Sequence, residues 1–136
     1  MREWGKLRYA GIAGAALLAS CATAPSPATP DPSVIAPVKT SFDRAIHSYF
    51  DCVYAIAERY AKTEKFTPDD ISTAATADCS NQMNDQVEAF RRYSRAQKPD
   101  WSEQLIQSAS LRYARDVEAE TKKNVIALVL RVRSGN

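Results

Sequence analysis

Apolar residues recur along the chain at alternating steps of four and three, the spacing of one face of an α-helix. Phe42, Ile46, Tyr49, Val53, Ile56 and Tyr60 form the first such series. It predicts a helix over about 41–63 that packs on other helices, with Ser41 as its N-cap. A second series runs through Ala75, Cys79, Met83, Val87, Phe90 and Tyr93 or Ser94, and is preceded by Thr67-Pro68-Asp69-Asp70. There Thr takes the N-cap, Pro the first helical position, and two acids the first turn. Phe66 and Ile71 have the spacing of a hydrophobic staple. This second helix is predicted over about 67–97 and ends at Lys98-Pro99. Asp100 with Glu103 three places on predicts a third N-cap. Trp101, Leu105, Ala109, Tyr113, Val117, Thr121, Val125, Leu128 and Val132 then keep the helical period over about 100–133. Val125-Ile126-Ala127-Leu128-Val129-Leu130 is apolar on all sides and also reads as a strand. A lone strand leaves its backbone unpaired, so a helix end buried between two others is the better reading. The expected fold of 41–136 is all-α, an antiparallel three-helix bundle of long helical hairpins.

The pattern before residue 41 differs. Residues 1–20 carry Arg2, Lys6 and Arg8, then a short apolar run, Ile12-Ala13-Gly14-Ala15-Ala16-Leu17-Leu18-Ala19. That run suits a signal-peptide core and falls far short of the roughly 20 residues that span a bilayer. Leu18-Ala19-Ser20-Cys21 follows, and it resembles the lipobox of bacterial lipoproteins. The resemblance covers only about residues 1–21. It implies that Cys21 is acylated and becomes the N-terminus once the signal peptide is removed. Two or more acyl chains give stable membrane attachment where one does not. Ala22, in place of Asp, implies the outer membrane under enteric-type sorting, with the domain in the periplasm. Residues 21–40 hold five of the seven prolines, Pro25, Pro27, Pro30, Pro32 and Pro37. Such a segment resists helix formation and prefers extended backbone, so it reads as a tether. Val34, Ile35 and Val38 are out of place in a purely solvated stalk.

Composition sharpens this picture. No glycine lies between Ala15 and Ser134, which disfavours a sheet domain with tight hairpins. The net charge of +2 belongs to the N-terminus, since fifteen basic and fifteen acidic residues remain from Cys21 onward. That balance argues against a nucleic-acid partner.

Cys52 and Cys79 flank the first predicted loop symmetrically, so two antiparallel helices joined there would bring them level. Ser48, Ala55, Ala75 and Ser80 are small enough to let the backbones approach within disulfide reach, with Cα atoms roughly 5.5–6 Å apart. The lipoprotein compartment is one in which such bonds persist. A metal or redox site is the competing reading. His47, the single histidine, sits five residues from Cys52 and about 140° round the helix from it, poorly placed for a shared ligand sphere. There is no Cys-x-x-Cys, and no metal or other cofactor is expected.

Little in the chain points to catalysis. His47 with Asp43 and Asp51 reads as a solvated helix face, and Asp69-Asp70 is explained by capping. Arg91, Arg92, Arg95, Lys98, Arg112 and Arg115 form a basic cluster. Folding the third helix back sets Arg112 level with Asp85 and Arg95 level with Glu103, so interhelical ion pairs are the expected use. A first helix starting at Ser41 spans roughly 33 Å and covers the second only to about residue 88. Phe90, Tyr93, Trp101 and Leu105 would then form an aromatic tip, a candidate partner site, unless Val34, Ile35 and Val38 fold over it. The expected function is a membrane-anchored, non-enzymatic envelope module that binds or organises a protein partner. The alternative is a periplasmic inhibitor or immunity-type lipoprotein that blocks an enzyme through the Thr63–Thr67 loop.

Overall fold

A computed structural model describes residues 29–135. Cys21 and the signal segment lie outside the described residues. Four α-helices make up the chain from there on: α1 Pro32–Ala61, α2 Pro68–Asp78, α3 Ser80–Gln97 and α4 Glu103–Ser134. No strand occurs among the described residues, and Val125–Leu130 lies within α4 without a break. None of the four helices is long and apolar enough to cross a membrane.

Three boundaries differ from the sequence expectation. The first helix starts at Pro32 rather than at Ser41, so residues 32–40 of the expected tether are helical. Asp31 is the N-cap: its carboxylate accepts from the Ser33 N–H at 2.8 Å and the Ser33 hydroxyl at 2.7 Å. Pro32 takes the first helical position, where no N–H partner is required. Pro37 sits inside the helix. It lacks the N–H that would have reached Ser33 and crowds that carbonyl, a cost confined to the second turn of the helix.

The second predicted helix divides at Cys79, whose φ of −98° and ψ of 21° interrupt the α geometry. No proline or glycine marks the spot. Thr76 Oγ1 bonds the carbonyls of Ser72 and Thr73 at 3.0 and 3.1 Å, and such back-bonding bends helices. Hydrogen bonding nevertheless continues across the junction, where Cys79 N–H reaches Ala75 O and Met83 N–H reaches Cys79 O. The last helix is capped by Ser102, whose hydroxyl accepts from the Leu105 N–H at 3.3 Å, and not by Asp100. Glu103 turns to Arg95 instead. Thr67 behaves as expected, closing a reciprocal capping box with Asp70. At the far end Gly135, with φ 73°, supplies the left-handed residue that closes α4.

The core lies where the apolar faces meet. Tyr49, Val53, Ala57 and Ala61 of α1, Ile71 and Ala75 of α2, Cys79, and Val125 and Val129 of α4 are buried together. Each large aliphatic side chain among them contributes about 1.5–3 kcal/mol relative to exposure. α1 packs most extensively on α3, and α2 on α4. The Cys52–Cys79 disulfide ties α1 to the α2–α3 junction, with Cα atoms 6.1 Å apart. Of the small residues expected to permit this approach only Ala75 is buried; Ser48, Ala55 and Ser80 face outward. Ala57 and Ala61, further along α1, are buried in the core.

Candidate partner-binding groove

Residues Phe90, Tyr93, Trp101 and Leu105 separate into two pairs. α1 passes nine residues further than the sequence suggested, and Phe42 then lies at the centre of an aromatic cluster. Its ring is 5.8 Å from Phe90, 5.5 Å from Tyr93 and 5.7 Å from Tyr113. Phe90 and Tyr113 stack face to face at 4.2 Å, with ring planes 1° apart. Phe90 and Tyr93 are therefore half-buried structural residues. Burial pushes the Tyr113 hydroxyl above the ordinary tyrosine value, opposed by a hydrogen bond from the Gln86 amide. Gln86 is 1% exposed, a buried polar residue that periodicity could not single out because it breaks the apolar pattern.

Trp101 and Leu105 stay exposed, at 36% and 51%. At the start of α4 the packed face lies one residue beyond the series read in sequence, so Ile106 and Ser110 are buried there, while further along Thr121 and Val125 of that series are buried as expected. Val34 is exposed at 52%, whereas Ile35 and Val38 are half-buried. The outer rim of the aromatic cluster opens into a shallow groove between α3 and α4 of about 660 Å³. Phe90, Trp101, Leu105, Arg112, Tyr113 and Arg115 line it, with Asp116 at its end. Tyr93 is not among its lining residues. Smaller clefts occur elsewhere. One of about 320 Å³ lies between Tyr54, Glu58 and Arg131. One of about 290 Å³ lies beside the α2–α3 junction, with Tyr49, Thr76, Asn84, Glu118 and Lys122 around it. Tyr49 is fully buried there. Its hydroxyl is near Thr121, whose own proton goes to the Val117 carbonyl at 2.7 Å. The Tyr49 oxygen itself closes no hydrogen bond of good geometry among the described residues.

The basic cluster divides in the same way. Arg95 and Glu103 form the expected interhelical pair, two-pronged at 2.8 and 2.7 Å. It holds the Glu103 carboxyl below the usual range. Arg91 pairs with Glu88 within α3 at 3.3 Å. The expected pairing of Arg112 with Asp85 does not form; neither has an ion-pair partner within 4 Å among the described residues, nor do Arg92, Lys98 and Arg115. The groove thus joins exposed apolar surface to unneutralised cations. Guanidinium groups in such a setting take carboxylates or phosphates.

At the other end of the molecule Arg133 fixes the α1–α2 loop. Its guanidinium donates to the carbonyls of Ala61, Thr63 and Phe66 at 3.1, 2.8 and 2.7 Å. Nothing in the pattern of the sequence singles out Arg133 for this role. Phe66 remains 44% exposed and flanks a small cleft with Tyr60 and Ile71. His47 is exposed on α1, and Asp43 beside it is engaged by Lys39 at 2.6 Å. Cys52 and Cys79 are joined to each other. No cluster of three metal-ligating side chains occurs among the described residues.

No family model matches the chain, and neither curated proteins nor solved structures give a match. The functional reading therefore rests on the groove, the disulfide and the N-terminal sequence.

Proposed function

We propose that the chain is a bacterial lipoprotein, anchored through acylated Cys21 to the outer membrane, whose helical domain is a non-enzymatic binding or scaffolding module of the envelope. α2 and α3 serve in it as one bent helix, giving an antiparallel three-helix arrangement. The opposed sequence directions of the Cys52–Cys79 and Phe42–Phe90 contacts support this. The disulfide fits an oxidising compartment. One observation carries the binding role: Arg112 and Arg115, which have no ion-pair partner among the described residues, line a groove with Phe90 and Tyr113 that opens at exposed Trp101 and Leu105. The part of the groove around Arg112, Ser108 and Arg115 is the surface that receives an envelope protein partner.

A photo-crosslinking residue at Ser108, introduced in the intact cell envelope, tests this. The expected result is one discrete adduct that disappears when Arg112→Glu and Arg115→Glu are added, with none from Asn81 on α3. Adducts that are equal from both positions and indifferent to the charge reversals would refute it.

A second reading has a specific observation in its favour. The three bonds from Arg133 make the Thr63–Thr67 loop a rigid projection carrying Lys65 and Phe66, which suits an inhibitor that plugs an enzyme cleft. That reading requires crosslinks from Lys65 and none from Ser108.

A further inference from the structure

The start of α1 and the α3–α4 turn lie at the same end of this molecule. Phe42 is level with Phe90 and Tyr93. Eight residues back along α1 from Phe42 is Val34, and eight residues on from Tyr93 is Trp101. The first climb is about 12 Å of helix and the second about 6 Å of helix to Gln97 followed by the turn, so the start of α1 and the α3–α4 turn sit at one end. The opposite end, with Phe66 and Leu130, lies roughly the length of α1 away, about 45 Å. Asp31 lies only ten positions after Cys21. Fully extended they reach at most about 33–36 Å. If Cys21 is anchored, that tether holds the Asp31 end of the module within about 36 Å of the bilayer.

That end is built differently from the flanks. Val34, Trp101 and Leu105 are exposed apolar side chains there. The local acids are mostly engaged: Asp31 caps α1, Asp43 holds Lys39, Glu103 holds Arg95 and Glu88 holds Arg91. Among the described residues Arg92 and Lys98 have no ion-pair partner; Asp100 and Asp31, the latter held ionised by its Ser33 bonds, have none either and balance them in number. Trp is suited to a membrane–water interface, where its ring is apolar and its N–H wet. Basic side chains at a surface favour anionic headgroups. Tethering makes the contact intramolecular, so a few side chains suffice where a free protein would need a larger patch.

We infer that the module stands on this end, with Trp101, Leu105 and Val34 in the interface of the same bilayer that holds Cys21 and with Lys98 and Arg92 against anionic lipid headgroups. The inference rests on the lipoprotein reading. It assigns to the lipid only the turn and the mouth of the groove, leaving Arg112 and Arg115 to the partner.

Trp101 is the one tryptophan after Cys21, so it reports its own surroundings in the processed protein. The full processed chain would be reconstituted into phosphatidylcholine vesicles containing phosphatidylglycerol, with and without brominated phosphatidylcholine. Intact mass would verify removal of Trp4 and acylation of Cys21. The expected result is at least twofold quenching by brominated lipid. Lys98→Glu with Arg92→Glu, Leu105→Ser, or omission of phosphatidylglycerol should each reduce it while helicity is unchanged. Protein that floats with the vesicles but keeps Trp101 unquenched would overturn the inference and leave the anchor standing. Protein that lacks acyl chains and does not float would overturn the lipoprotein reading and this inference with it.

Discussion

Reduction of the Cys52–Cys79 bond should lower the stability of the helical domain by about 3.5 kcal/mol. The bond spans 27 residues, and freeing that loop in the unfolded chain accounts for the figure on the chain-entropy model. The native state offers little relief in the other direction. Cys79 is fully buried and Cys52 half-buried, and the same core residues hold both in place after reduction. Urea unfolding followed by helical circular dichroism, with and without reductant, is the assay. At a slope of about 1.5–2 kcal/mol per molar urea the midpoint should fall by about 2 M. The slope itself should rise, because the reduced unfolded chain exposes more surface. A fall below about 0.5 M, with thiol titration proving complete reduction, would refute the reasoning. It would mean that the α1–α2 hairpin persists in the unfolded chain and leaves no loop entropy to release.

Phe42→Ala should cost about 2–3 kcal/mol, toward the lower end for a buried phenylalanine because the ring is half-buried. A loss under about 1 kcal/mol in urea unfolding would count against the four-ring cluster. Pro37→Ala should stabilise by about 1–3 kcal/mol and raise helicity, since it restores a helical N–H donor; a loss of stability would contradict a helix through residue 37. Thr67→Ala should cost about 1 kcal/mol at neutral pH. The Asp70 carboxyl is held below the usual aspartate value of 3.8 by hydrogen bonds from the Thr67 hydroxyl and N–H. Its contribution is present above that value and is lost as pH falls through the depressed one. Asp70→Asn should therefore flatten the acid limb of a stability profile, and an unchanged limb would contradict the capping box.

The second helix start was legible because Thr67-Pro68 pairs a capping side chain with proline at the one helical position that needs no N–H. Asp31-Pro32 carries the same signature. Neighbouring prolines obscured it, and the tip left open by a helix starting at Ser41 is half covered as a result. The break at Cys79 has no proline or glycine to announce it; it follows from Thr76 back-bonding and the disulfide at that residue. The Cys52–Cys79 pairing was legible from the symmetry of two cysteines about a loop placed by caps alone. Gln86 and Arg133 were not legible. One is a polar side chain inside the core and the other a terminal arginine bonding backbone some 70 residues away. Neither leaves a local signal. Trp101 and Leu105 belonged to the periodic series read for the last helix, yet Trp101 precedes α4 and Leu105 faces outward because the packed face of its first turns runs through Ile106 and Ser110, before rejoining the series at Thr121 and Val125.

The most direct test of a lipid-anchored, disulfide-bonded module is the intact mass of the membrane-extracted protein, measured with and without reductant and thiol alkylation. The expected mass begins at acylated Cys21, and Cys52 and Cys79 take up alkylating agent only after reduction. An unprocessed chain without acyl groups, alkylated at both thiols before any reductant is added, would contradict the proposal.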